Sequence, residues 1–194
     1  MKIYFNASLA GKKDYLEHYK IIINVVKKIG HEVISDQVMK RDVANVNLQT
    51  KEEHAKDFQK AKKEIKNSDV MIIEGTAPSI GVGLLMGIAL DMYKPVLILY
   101  LTTPHGLLIG DPDRLLTVKY YASGDRAGLR KIIKVFLESA NKRALKYKFN
   151  LMINKSQKDY LGKVSKNIGV SRAKVIRNLI DIEFKRDFED HEKI

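Results

Sequence analysis

Cysteine is absent from this chain, and with it every disulfide, thiolate metal site and cysteine nucleophile. That composition suits a reducing, cytoplasmic location, which is the expectation here. The start, MKIYF, runs into turn residues without an apolar core segment or cleavage site, and no apolar run approaches the ~18 residues of a membrane span. Neither secretion nor a membrane partner is therefore expected. The five histidines, His18, His31, His54, His105 and His191, fall at no metal-ligand spacing, so no metal site and no cofactor are expected either. Proline is scarce, and two of the four residues fall between Thr102 and Asp113, which reads as a loop over a sheet edge.

What is present is an alternation of short apolar runs with helical periodicities. Ile3–Phe5, Glu32–Ile34, Val70–Ile73 and Val96–Tyr100 read as short strands, and the apolar runs among them suit buried parallel strands. Tyr15–Ile29, Lys51–Asn67, Leu84–Met92 and Leu129–Ala140 read as helices between and after them. This order predicts a doubly wound α/β domain over residues 1–140, a basic linker at 141–146 and a small domain at 147–194.

Ligands of such sheets lie beyond the carboxyl ends of the strands. Two loops have fitting chemistry there. Asn6, Ala7, Ser8 and Gly11 follow the first strand; Thr76, Pro78, Ser79, Gly81 and Gly83 follow the third and open a helix. Glycines permit close backbone approach, and a helix N-terminus beside a Ser hydroxyl suits a phosphate. The same glycines also serve tight turns, so spacing alone leaves both readings open.

The last quarter is different in character. Phe149, Leu151 and Ile153 alternate with Lys148, Asn150 and Met152, as on a strand from Tyr147 to Ile153. Leu161, Val164 and Ile168 then recur at helical spacing, Gly169 can stop that helix, and Ser171 can cap another carrying Val175, Ile176, Leu179 and Ile180. Of the formal net charge of +12, residues 141–177 hold +10, from eleven Lys or Arg against the single acid Asp159. Concentrated positive charge is what a phosphate-backbone binder presents, while a solvated Lys-rich face or a dimerising tail has the same composition. The small core of one copy implies a homodimer.

This segment, with its GVSRAKVIRNLI stretch, resembles the ribbon-helix-helix family of repressors and antitoxins over about 40 residues. The resemblance implies DNA as partner, with Lys148, Asn150 and Met152 facing base edges in the major groove. The N–H groups of Ser171, Arg172 and Ala173 would clamp a phosphate.

A second resemblance covers about residues 1–138. KIYFNAS, SDVMIIEGTAPSIGVG and KPVLILY are similar to the nucleoside 2-deoxyribosyltransferase family, most of all its 2′-deoxynucleoside 5′-phosphate N-hydrolase branch. It implies a flavodoxin-like sandwich whose dimer shares its active sites. It further implies that Asn6, Ser8 and Gly11 border sugar and base, that Ser79, Gly81 and Gly83 hold the 5′-phosphate, and that Thr117 reaches across the dimer. Asp69 matches a family Asp and joins the ligand-binding set. Two departures stand against catalysis: Leu85 occupies the place of the nucleophilic Glu, and Ala61 that of the second acid. Asp57, one helical turn before Ala61, is the candidate substitute.

Together these readings predict a DNA-binding regulator whose catalytically degenerate domain binds a nucleotide or related phosphorylated ligand. The alternative is a deoxynucleotide N-glycosidase or deoxyribosyltransferase with a relocated acid, its C-terminal arm serving assembly.

Overall fold

The computed structural model describes residues 1–102, 115–142 and 151–191, and the chain divides into two compact units, Met1–Lys148 and Phe149–Ile194. Most of the expected loop from Thr102 to Asp113 and of the expected linker lies outside the described residues, as do Lys148 and Asn150.

In the first unit five strands form one parallel sheet: β1 (Lys2–Ala7), β2 (Glu32–Ile34), β3 (Val70–Glu74), β4 (Val96–Tyr100) and β5 (Leu116–Tyr120), in the order β2-β1-β3-β4-β5. The helices are α1 (Lys12–Lys28), α2 (Asp36–Met39), α3 (Val43–Asn47), α4 (Lys51–Lys66), α5 (Ile80–Asp91) and α6 (Arg126–Lys142). Successive strand side chains point to opposite faces, so each run feeds two cores at once. Ile3, Phe5, Ile72, Leu97 and Leu99 pack with Tyr19, Ile22 and Val26 of α1 and Leu129, Ile133 and Phe136 of α6. On the other face, Tyr4, Met71, Ile73, Val96 and Ile98 pack with Ile65 of α4 and Ala89 of α5. Burial on both sides is why the strands read as continuous apolar runs. The predicted doubly wound α/β sheet is the observed one.

Two features depart from expectation. Helix α6 continues through Lys142, into the segment expected as linker, and α5 begins at Ile80, four residues before the expected start. α5 is apolar on every side until Asp91, yet Ala89 is its only fully buried residue; Ile80 and Leu84 stand exposed. An all-apolar helix normally has all its faces covered, so this one presents a bare side.

The second unit holds α7 (Lys155–Ile168) and α8 (Arg172–His191). Asn154 and Gln157 form a reciprocal capping box at the start of α7, with Gln157 N–H donating to Asn154 Oδ1 at 2.9 Å and Asn154 N–H to Gln157 Oε1 at 3.0 Å. Gly169 ends the helix at φ 66°, the left-handed conformation that favours glycine, and Ser171 Oγ accepts the N–H of Lys174 at 3.3 Å. The expected helix, turn and helix are therefore present. Of the expected strand only Leu151, Met152 and Ile153 are among the described residues; they form no strand and are exposed, and residues 147–150 fall outside the described residues. Alternation of apolar side chains gives a segment two faces but supplies no partner for its backbone.

Candidate functional site

In the order 2-1-3-4-5 the chain leaves β1 for β2 on one side and continues through β3, β4 and β5 on the other. The switch point lies between β1 and β3, and the loops leaving the two strands part there. A cavity of about 460 Å3 occupies this place, lined by Asn6 to Ala10 at the end of β1 and just after it, by Pro78, Ser79, Gly81, Val82, Leu84 and Leu85 after β3, and by parts of α2, α3 and α4.

Each wall has a definite chemistry. Asn6 is almost wholly buried; its Oδ1 accepts the N–H of Ala7 at 3.0 Å, while its Nδ2 is buried without a partner. An orphan amide in a cavity wall is a donor held ready for a ligand acceptor. Ser8 is fixed by its neighbours: its Oγ accepts from Gly11 N at 3.3 Å and its carbonyl from Tyr19 Oη at 3.0 Å. Ser79 caps α5, with its Oγ accepting Val82 N–H at 3.4 Å, so the positive end of α5 opens on the cavity beside Gly81.

The opposite wall is α4. Its start is set by Thr50 and Glu53, which form a second capping box. From there Asp57 and Ala61, one turn apart, both reach the cavity lining with Phe58 and His54. Asp57 Oδ2 accepts from Arg41 Nη2 at 2.6 Å and from Gln49 Nε2 at 2.7 Å. Arg41 also donates to Gln49 Oε1 at 2.6 Å and to Gln37 Oε1 at 2.8 Å. Arg41 and Gln37 line the cavity themselves.

Ala61 and Leu85, the positions where acids were expected, converge on this cavity although 24 positions separate them in the chain. Asn6, Ser8, Ser79 and Gly81 are in its lining as well. The other expected ligand residues are not. Gly11 sits beneath the loop, where a Cβ would come within 2.4 Å of Ala77 Cβ. Gly83 lines a neighbouring cavity on the other side of the Ser79 loop. Thr117 lies within β5 opposite Leu97. Asp69 is at the amino end of β3, where its Oδ2 accepts the N–H of Lys2 at 2.7 Å; it caps the sheet at the end away from the loops. Arg41, Gln37 and Gln49 escaped the sequence reading, because the irregular stretch that carries them has neither periodicity nor motif.

A protein of Methanosarcina barkeri named "Putative 2′-deoxynucleoside 5′-phosphate N-hydrolase 1" is 33% identical over 140 residues, which is 70% of this chain and 84% of that protein. The chain belongs to the 2′-deoxynucleoside 5′-phosphate N-hydrolase family. A Methanosarcina mazei protein of the same name is 30% identical over 141 residues, 71% of this chain and 84% of that one. The 5-hydroxymethyl-dUMP N-hydrolase of Tetraodon nigroviridis is 30% identical over 100 residues, 52% of this chain and 70% of the fish protein. No family model matches the chain.

Membership of this N-hydrolase family overturns the reading of the chain as a DNA-binding regulator with a degenerate ligand domain, since these relatives are named as hydrolases. The structure explains how the sequence misled. Of the expected base-reading side chains, Lys148 and Asn150 lie outside the described residues and Met152 is exposed on no strand. Ser171, Arg172 and Ala173 do open α8, but the Arg172 guanidinium lies 3.4 Å from where a Cβ on Gly162 would be, across α7. Basic residues along two paired helices satisfy ordinary solvation equally well. Among the described residues no helix is long and apolar enough to cross a membrane.

Proposed function

We propose that the chain is an N-glycosidase of 2′-deoxynucleoside 5′-phosphates whose working carboxylate has moved to Asp57. The observation that carries this reading is the place of Asp57, in the same cavity wall as Ala61 and one turn from it. The 5′-phosphate would sit at the Ser79-capped start of α5, and the unpartnered Nδ2 of Asn6 would take an acceptor of sugar or base. The apolar side chains of Val38, Phe58, Ala61 and Leu85 suit the ring faces.

In the reaction the C1′–N bond breaks, its electrons leave with the base nitrogen, and water supplies the oxygen of a new C1′–O bond. The Asp57 carboxylate stabilises C1′ as positive charge grows there. His54, three residues earlier in the same wall, would give the leaving base its proton and recover one from the water that attacks C1′. The products are the free base and 2-deoxyribose 5-phosphate.

The C-terminal unit is the assembly arm of a homodimer in this reading. Its support is the exposure of Leu179, Ile180, Ile182 and Phe184 on α8, beside an apolar cavity of about 480 Å3 lined by Leu151, Ile153, Tyr160, Ile176 and Leu179.

Incubation with deoxynucleoside monophosphates should release free base, and Asp57→Asn should lower kcat by roughly 10²–10⁴-fold. Absence of release, or an Asp57→Asn variant as active as the parent, rejects the reading.

A further inference from the structure

We infer that Arg41 and Gln49 are positioning residues for Asp57, holding one of its carboxylate oxygens so that the other is presented to the reacting carbon. The inference rests on the proposed role of Asp57.

Its geometric basis is the asymmetry of the carboxylate. Both donors, Arg41 Nη2 at 2.6 Å and Gln49 Nε2 at 2.7 Å, converge on Oδ2. Oδ1 accepts no hydrogen bond among the described residues, and the partly exposed Asp57 side chain lines the cavity. A guanidinium placed only to neutralise a carboxylate would engage both oxygens side by side, which is its preferred fork geometry. Here the second face of the fork is turned elsewhere. Nη1 goes to Gln37 and Nη2 is shared with Gln49, whose own amide closes a ring back on Oδ2.

The ring is anchored at both ends. Gln49 directly precedes Thr50, so the capping box of α4 fixes where it stands. Arg41 rides on the turn between α2 and α3, and Lys12 Nζ fastens that turn by donating to the carbonyls of Arg41 at 2.6 Å and Met39 at 3.2 Å and pairing with Asp42 at 3.0 Å. Lys12 belongs to the first turn of α1, immediately after the Ser8–Gly11 loop. The position of one carboxylate is thereby tied to the cap of α4 and to the start of α1, which follows the β1 loop. Reaction rates are sensitive to displacements of about 1 Å, so a frame of this kind acts on turnover more than on binding.

The test is steady-state base release from deoxynucleoside monophosphates by the full chain and its Arg41→Met, Arg41→Lys, Gln49→Leu, Asp57→Asn and Arg41→Met/Asp57→Asn variants. Arg41→Met should lower kcat about 10²-fold with KM within about threefold. Arg41→Lys should recover part of the loss, and Gln49→Leu should lower kcat about tenfold. The double variant should be no slower than Asp57→Asn alone, because a residue acting through Asp57 has nothing left to position.

Parental kcat in Arg41→Met, a rise in KM at constant kcat, or a further loss in the double variant would each overturn the inference. Should Arg41→Met fail to fold by circular dichroism, Gln49→Leu, which keeps the ion pair, decides the matter on the same criteria. An inactive Asp57→Asn beside fully active Arg41 and Gln49 variants removes the inference and leaves the proposed function standing. An active Asp57→Asn removes the catalytic reading itself, and so does a parent chain that releases no base; the inference falls with it in either case.

Discussion

Glu74 shows how much the buried loops depend on single side chains. It ends β3 with no exposed surface; Oε1 accepts hydrogen bonds from Thr76 Oγ1 and, at 3.3 Å, from Tyr121 Oη, while Oε2 is buried without a partner. Burial pushes its carboxyl above the usual range, and the bonds from Thr76 and Tyr121 pull only partly against that. A folded-state carboxyl that keeps its proton to higher pH binds more protons than its unfolded counterpart. Its stabilising share is thus complete below the unfolded value of about 4.3 and is lost as pH rises toward the folded value. Glu74→Gln should therefore raise Tm at pH 7 by roughly 2–4 °C, and the gain should vanish as pH falls to about 4. Melting curves of both proteins across pH 4–8 check it. Gly11 makes a sharper case, because a Cβ there would meet Ala77 Cβ at 2.4 Å and Tyr19 Oη at 2.8 Å. Gly11→Ala should push the two loops apart and weaken nucleotide binding about tenfold or more, as calorimetry would register, with a smaller effect on folding.

At the scale of elements, α4 is positioned by its first turn. Thr50→Ala removes the acceptor of Glu53 N–H at 3.2 Å and should cost about 1 kcal/mol, a fall in Tm of roughly 2–4 °C. Since Gln49 and Asp57 follow from that start, turnover should fall further than stability does. The elements also show what the sequence made legible. Strands β2 and β4 were readable to the residue, because each is bounded by turn residues and, in β4, wholly apolar. Helix α1 and helix α4 followed from their periodic faces. What escaped was whatever lacks a period: the single turns α2 and α3, and the first turn of α5, a helix whose apolar surface runs all the way round and so marks no inner side. β5 was missed although Leu116, Val118 and Tyr120 alternate with Thr117 and Lys119, because it is no continuous apolar run like β4 and its last two residues are exposed. The site divided along the same line. Asn6, Ser8, Ser79, Gly81 and Asp57 were legible through loop chemistry and resemblance, whereas Arg41 and Gln49 become meaningful only when α2, α3 and α4 are folded against one another.

For the whole molecule, the two units have very different cores. The first buries two extensive clusters; among the described residues of the second, Leu161 and Val175 are the only fully buried hydrophobic side chains, while Leu151, Tyr160, Leu179, Ile182 and Phe184 are exposed. So small a unit rarely stands alone. A peptide of residues 149–194 should be mostly unfolded when dilute and gain helix as its concentration rises, and a residue 1–148 fragment should melt cooperatively by itself. Circular dichroism over a concentration series tests both.

The order of the strands has a kinetic consequence. β1 is complete by Ala7, yet its neighbour β3 begins only at Val70, after an entire excursion through β2 and α4. Closing so long a loop is entropically costly, and non-local pairing of this kind slows folding. The cavity between the two strands has no existence before that step. A ligand bound there can recognise only the finished protein, never a partly folded one, and at 100 times its Kd it would add about 2.7 kcal/mol against global unfolding. Occupancy of the site would then protect the slowest-exchanging amides of β1 and β3 as strongly as those of the loops that touch it.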